Sequence, residues 1–213
     1  MESPMDGWQI VITAEKFEML RDDRRFRLLL TLGRIINALR FCHMAVVNEN
    51  SPFRGNRINS FLFMSAVLYE GIKVARNLGR DFRELDSFKT GIGALLRDKD
   101  TQDLWDTSLN RLRNKLVFHF DGGAAQDALQ DIILPSYRFA ASDGPKGNQS
   151  YYVLADEVFM HFLVKQHGSL GNQLTDQATD LIRRTTDLGI RFIDASQRLI
   201  AEALRVLECT SQE

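Results

Sequence analysis

The sequence predicts an all-α protein, an up-and-down helical bundle with a small β-hairpin insertion before its C-terminal helices. Apolar residues recur at three- and four-residue steps along most of the 213 residues, which is the period of helices that bury one face. Only four prolines occur, and all lie outside the periodic segments, so the helices can be long. Long helices joined by short loops pack antiparallel, which predicts the up-and-down arrangement. The length of the chain and the lack of a linker that would divide it predict a single domain over residues 1–213.

The first two predicted helices cover residues 14–47 and 57–78. Thr13 stands where an N-cap is needed at the start of the first helix, because its hydroxyl can accept a hydrogen bond from a free backbone N–H. The second helix is followed by Gly79, a residue type that commonly ends helices. A shorter helix is predicted over 85–96, and a fourth begins at Asp100 or Thr101 and runs to about residue 118.

The second half of the chain changes period. A short helix is predicted over 124–132, and alternating apolar residues on both sides of the polar stretch 142–149 then predict a hairpin at about 136–155. Another helix follows at 156–166. The last predicted helix, at about 173–207, has an apolar stripe long enough for nearly ten turns.

Composition excludes several classes of protein. The chain is 44% hydrophobic and 26% charged, as soluble globular proteins are, and its net charge of −1 excludes a globally basic nucleic-acid binder while leaving room for a local basic patch. Two cysteines, Cys42 and Cys209, are too few for a disulfide scaffold, and Cys42 is expected to be a buried free thiol. No signal peptide or bilayer-length apolar stretch is apparent, so we expect a cytoplasmic protein without membrane association.

The end of the fourth predicted helix brings an arginine and a histidine close together. His119 falls on the leucine stripe of that helix, and Arg113 lies beside the stripe. The positions of these two residues can each be explained by a purely structural role. The arginine can lay its stem over the core with its charge in water, and the histidine can be a hydrogen-bonded core residue.

The segment Arg113-Asn114-Lys-Leu-Val-Phe-His119 resembles the R-x(4–6)-H signature of HEPN domains, an all-helical superfamily of prokaryotic toxins, antiviral ribonucleases and related proteins. A polar residue directly after the arginine is usual in that family, and Asn114 matches it. The motif covers seven residues, and the helical layout that supports it covers about 14–135. The commonest family form has four residues between the arginine and the histidine, whereas this chain has five.

The resemblance implies a metal-independent endoribonuclease without a cofactor, acting as a toxin or abortive-infection component in phage defence. The RNA 2′-hydroxyl would attack the adjacent phosphate. Arg113 would clamp that phosphate, because its guanidinium is always charged and binds two oxygens at once. His119 would be the general acid or base, and Asn114 would orient one of these groups or the phosphate. The alternative is a non-catalytic helical module of the same fold that binds protein or RNA.

A regular helix cannot bring Arg113 and His119 to one phosphate. Six residues leave the two side chains about 120° apart around the axis and about 9 Å apart along it. Either the helix ends or distorts before His119, or the site is shared between two chains. HEPN proteins form dimers whose motifs face a common cleft, and the resemblance therefore implies a homodimer with this motif near its axis. It also implies an antitoxin-type protein partner.

Other charged residues offer further hypotheses. Glu70 on the second helix is expected to pair with Arg113 across the bundle, as an interhelical structural contact or as an orienter of the site. The mixed charge run 21–27 predicts a solvated face with helical pairs Asp22–Arg25 and Asp23–Arg27. Arg76, Arg80 and Arg83 suit the end of a helix, where cations offset its dipole, or they extend an RNA-binding surface.

Two further kinds of site were considered. Glu157 and His161 lie four residues apart, but a metal-binding bundle needs matching ligands from several helices, so we expect no metal site. A small-ligand pocket lined by Phe61, Trp105 and Phe159 is a third functional alternative.

Overall fold

A computed structural model of the chain describes the backbone of residues 12–47, 54–117 and 173–210, and the side chains of 12–47, 58–114 and 178–207. Within these ranges the protein is all-α and has no strand, which confirms the all-α part of the predicted fold class. The predicted hairpin at 136–155 lies outside the described residues and has no support from the structure, and the predicted helices 124–132 and 156–166 lie outside them as well.

Six α-helices and three π-helical segments make up the described chain. The α-helices are α1 (Ala14–Leu20), α2 (Arg24–Val47), α3 (Arg54–Phe82), α4 (Gly93–Arg97), α5 (Lys99–Leu104) and α6 (Gln173–Thr210). The π segments, with hydrogen bonds five residues apart, are π1 (Phe88–Ile92), π2 (Trp105–Leu109) and π3 (Leu112–Val117). π1 runs directly into α4, and α5 runs into π2 and on to π3, so the predicted third and fourth helices exist in a distorted form.

The predicted first helix is in fact two helices. Thr13 is its N-cap as predicted, with its hydroxyl accepting from Lys16 N–H at 3.3 Å. The prediction of one continuous helix is wrong at residues 21–23, because the Asp23 carboxylate accepts from the backbone N–H of Arg25 at 2.7 Å and so caps a new helix. The apolar stripe continues across this break, which is why periodicity alone does not reveal it.

The charge run at the break is salt-bridged, but not between the predicted partners. Asp23 pairs with Arg25 at 2.7 Å, and Arg21 pairs with Glu18 of α1 at 2.6 Å. The predicted i,i+3 and i,i+4 pairs assumed a continuous helix. Arg24 donates to Asp81 at 2.8 Å, and this contact joins the start of α2 to the end of α3, so these two helices pack antiparallel.

Two other predicted boundaries are corrected. Gly79 does not end its helix, since α3 continues to Phe82; a Cβ at residue 79 would lie 3.3 Å from Phe88 Cζ, so the glycine lets π1 approach α3 closely. The N-cap of α5 is Asp98, two residues before the predicted cap. Its carboxylate accepts from the Thr101 hydroxyl at 2.9 Å.

α2, α3 and α6 surround the core together with the π segments. α6 runs antiparallel to the stretch from Ser87 to Asp100, because Glu202 accepts from Ser87 N–H at 2.8 Å and Arg184 donates to Asp100 at 2.6 Å. Cys42 is a buried free thiol, as expected, and burial raises its pKa. The largest fully buried side chains come from all these elements: Phe26, Leu32, Leu39, Phe61, Met64, Leu68, Ile72, Leu78, Ile92, Leu109, Leu112 and Phe192.

Two of the described helices, α2 and the part of α3 at Ile58–Phe82, are long and apolar enough by length and composition to cross a membrane. Uninterrupted apolar stretches stay short, since Arg34, Asn37 and Arg40 divide that of α2, and the expectation of no membrane association stays a prediction. The same two helices contribute about half of the buried core residues among the described side chains, as apolar helices of proteins without membrane spans also do.

Candidate functional site

Arg113 and Asn114, the first two residues of the motif, lie in π3. His119 lies outside the described residues, so its position relative to Arg113 stays a prediction. The helix is distorted before His119, because π3 replaces regular α-geometry from Leu112 to Val117. A distortion at this place is one of the two alternatives that the sequence left open, the other being a site shared between two chains. Short π segments inside α-helices occur frequently at functional sites.

Glu70 and Asn114 hold the Arg113 guanidinium from two directions. Nε donates to Glu70 Oε1 at 3.1 Å, which confirms the predicted pair across the bundle, and Nη1 donates to Asn114 Oδ1 at 2.7 Å. Asn114 Nδ2 in turn donates to Asn110 Oδ1 at 2.7 Å. The guanidinium carbon also lies 5.9 Å from the ring centre of Tyr69, within cation–π range. The orientation of Arg113 is therefore fixed by both α3 and its own helix.

The network is partly open to solvent. The side chains of Arg113 and Glu70 are 32% and 37% exposed, so an anion from solution can approach them. Lys73 Nζ lies 3.5 Å from the second carboxylate oxygen of Glu70. Two cations, Arg113 and Lys73, thus share the Glu70 carboxylate.

A stack formed by Tyr69, Trp105 and Arg76 lies next to the site. Tyr69 and Trp105 are parallel within 7°, with ring centres 5.0 Å apart, and the Arg76 guanidinium carbon lies 3.6 Å from the centre of Trp105. These two neighbours do not fit over one face of the indole, so they cover opposite faces. Trp105 Nε1 also donates to Tyr69 O at 3.3 Å. Trp105 therefore fastens π2 to α3 and leaves neither face for a nucleotide base.

Sequence reasoning found Arg113, Asn114 and Glu70 but missed the residues that support them. Tyr69 is adjacent to Glu70, and Asn110 lies one α-helical turn before Asn114, so both were visible as polar or aromatic neighbours of the motif. Arg76 was assigned to the helix dipole or to RNA, whereas its observed contact is with Trp105.

The third functional alternative, a small-ligand pocket, has no support among the described side chains. Phe61 is only 1% exposed within the core, Trp105 is covered on both faces, and Phe159 lies outside the described residues. Within the described ranges, no group of three or more His, Cys, Asp or Glu is placed to hold a metal ion. Glu157 and His161 lie outside those ranges.

A second cluster of arginines lines a cavity of about 280 Å³ between α5 and α6. Its charges are compensated, since Arg184 pairs with Asp100 at 2.6 Å and Arg191 with Asp98 at 3.2 Å. The Arg184 side chain is 31% exposed, nearly the same as that of Arg113. Arg184 is therefore a matched control for experiments on the motif.

Comparisons of the chain with protein-family models, with curated proteins and with solved structures gave no match.

Proposed function

We propose that the protein is a HEPN-like, metal-independent endoribonuclease that acts as a toxin or abortive-infection component. The observation that best supports this function is the arrangement of Arg113. Its guanidinium is oriented by Glu70 and Asn114, remains partly exposed, and lies six residues before His119 in a distorted helix. An oriented, solvent-accessible arginine is what a phosphate clamp requires.

The proposed mechanism assigns one task to each residue. Arg113 binds the scissile phosphate and stabilises the charge that develops on it as the RNA 2′-hydroxyl attacks. His119 moves the proton, as general base toward the 2′-hydroxyl or as general acid toward the leaving 5′-oxygen. Asn114 and Glu70 keep the guanidinium in position. In the proposed homodimer, two motifs face each other near the twofold axis.

The test is cleavage of mixed cellular RNA by the purified full chain in EDTA, beside Arg113→Ala, His119→Ala and the matched control Arg184→Ala. We expect the parent and Arg184→Ala to cleave equally. Each motif variant should be slower by about 100-fold or more, the usual effect of removing one catalytic group. Equal cleavage by all four proteins would contradict the assignment of the motif.

The alternative is a non-catalytic module of the same fold that binds RNA or protein. One observation favours it: two nitrogens of Arg113, Nε and Nη1, are already bonded to side chains of the protein itself, as in a structural arginine. This function predicts no cleavage by well-folded parent protein, together with retention of RNA or partner binding in His119→Ala.

A further inference from the structure

The solvent side of α2 carries an unusual mixture of residues, which we call the basic–apolar face. Three large apolar side chains are prominent there: Phe41 is 76% exposed, Met44 65% and Leu30 55%. Single exposed apolar residues are common on protein surfaces, but three on one helix face indicate an interaction site. The face is made by Arg27, Leu30, Arg34, Asn37, Phe41 and Met44, all exposed.

The spacing of this face fits a helical partner. Its positions follow each other at alternating steps of three and four residues, from Arg27 to Met44. Such a sequence of positions forms a nearly straight seam along a helix, into which the side chains of a second helix can pack. At about 1.5 Å per residue, the seam is about 26 Å long, enough for more than two heptads of a partner.

The charge on α2 is entirely of one sign. Five arginines and no aspartate or glutamate lie between Arg24 and Val47. Arg24 and Arg25, at the helix start, are paired with aspartates. Arg27, Arg34 and Arg40, farther along, have no carboxylate within 4 Å in the described part of the chain, although exposed arginines of α6 such as Arg183 and Arg191 do. Three exposed cations that have no carboxylate partner among the described residues, beside an apolar seam, favour a partner that brings carboxylates.

Charge and side-chain chemistry distinguish among the molecules that could bind the basic–apolar face. A second copy of α2 would bring arginines against arginines, which is unfavourable. Flat insertion in a bilayer would bury Arg34 between Leu30 and Phe41 without bringing it a carboxylate, whereas an acidic helix brings one. RNA would match the arginines but would leave the aliphatic contacts of Leu30 and Met44 unused.

We propose that the basic–apolar face docks an acidic amphipathic helix of a partner protein. Apolar residues of that helix pack on Leu30, Phe41 and Met44, and its glutamates or aspartates pair with Arg27 and Arg34 of the face and with Arg40 beside it. Coiled coils use flanking charges in the same way to choose partners. The proposal does not involve Arg113, so it stands or fails independently of the nuclease function.

The experiment uses two labelled helical peptides of four heptads with leucine at the seam positions. One carries glutamate at the flanking positions, and the other carries lysine. By fluorescence anisotropy, the full chain should bind the glutamate peptide at least tenfold more tightly than the lysine peptide. Phe41→Ser should weaken that binding at least tenfold. The double variant Arg34→Glu/Arg40→Glu should reverse the preference, a result that loss of folding cannot produce. The double control Arg198→Glu/Arg205→Glu, on exposed residues of α6, should bind like the parent.

Several results would overturn the proposal. One is equal or absent binding of the two peptides. Another is Phe41-dependent binding to vesicles of phosphatidylserine and phosphatidylcholine, or to a single-stranded RNA oligonucleotide, in preference to the glutamate peptide. A third comes from hydroxyl-radical footprinting of the free protein. Phe41 should be oxidised at least as fast as Phe17, which is 46% exposed, and Met44 at least as fast as Met19, which is 57% exposed. Protection would show that the chain itself or a second copy covers the face.

Discussion

Arg113 and Glu70 both lie near the surface, and this limits what their ion pair contributes to stability. With 32% and 37% of the side chains exposed, solvent screens the attraction, and such pairs contribute about 0.2–1 kcal/mol. The pair matters more for the orientation of the guanidinium than for stability, because Glu70 holds Nε while Asn114 holds Nη1. We therefore interpret Glu70 as a positioning residue.

This interpretation predicts different effects of Glu70→Gln on stability and on the proposed activity. The free energy of unfolding should fall by less than about 1 kcal/mol. RNA cleavage should fall about tenfold or more through kcat, because the clamp loses its fixed orientation. Denaturant unfolding and steady-state kinetics measure the two effects. The control is Asp100→Asn, which breaks the equivalent pair of Arg184. A drop of several kcal/mol with unchanged kcat per folded molecule would make the pair structural.

The sequence allowed the Glu70–Arg113 pair to be predicted, because two opposite charges on the inner flanks of neighbouring helices have few other partners. It did not allow the stack of Tyr69, Trp105 and Arg76 to be predicted. That stack depends on how π2 is rotated about its axis relative to α3. A π segment has more residues per turn than an α-helix, so it changes the direction in which every later side chain points. Local geometry therefore limited the prediction of the site more than residue identity did.

At the scale of single elements, the existence of helices was predictable and their ends were less so. The apolar stripe runs through both the capped break at Asp23 and the glycine at residue 79. The Asp23 carboxylate, which accepts from a backbone N–H, decides where α2 begins, and the approach of Phe88 explains why a glycine lies inside α3 and not at its end. Such contacts depend on tertiary neighbours that a stripe does not reveal.

Two helical glycines give opposite predictions for substitution by alanine. A Cβ at Gly71 would lie 3.0 Å from Ile35 Cγ2 and 3.1 Å from the buried ring of Phe192, at the point where α2, α3 and α6 meet. Gly33, in α2, has nothing within 4 Å of the same position. Gly71→Ala should destabilise by about 1–3 kcal/mol through overpacking, whereas Gly33→Ala should stabilise by up to about 1 kcal/mol through helix propensity. Urea unfolding measures both changes, and stabilisation by Gly71→Ala would contradict the close packing of the three helices.

At the scale of the whole molecule, carboxylates hold the starts of three helical segments. Asp23 caps α2, Asp98 precedes α5, and Glu202 of α6 accepts from the backbone N–H of Ser87 just before π1. Their pKa values are all lowered: that of Asp23 mainly by the hydrogen bond from Arg25, that of Asp98 mainly by the hydroxyl of Thr101, and that of Glu202 by Ser87. In each case the folded state favours the charged form.

These shifts make the bundle sensitive to acid. A carboxyl group whose pKa is lower in the folded state stabilises fully above its unfolded pKa, 3.8 for Asp and 4.5 for Glu, and this stabilisation is lost as pH falls through the lower folded value. The contribution of these three carboxylates to the free energy of unfolding should therefore be nearly constant from pH 7 to about 5 and should decrease steadily below about pH 4.5.

The variant Asp23→Asn separates charge from capping. Asparagine caps helices about as well as aspartate, so stability at pH 7 should change by less than about 1 kcal/mol. Between pH 4.5 and 2 the free energy of unfolding should depend less steeply on pH, since Asn cannot take up the proton that Asp23 binds on unfolding. The number of protons taken up on unfolding should be lower than in the parent by a fraction of one proton, up to about one. Denaturant titrations at a series of pH values measure the slope, with Asp194→Asn on the exposed side of α6 as the control. If Asp23→Asn kept both the slope and the stability of the parent, the carboxylate would act at this helix start only as a hydrogen-bond acceptor, and the acid sensitivity would have to come from other groups.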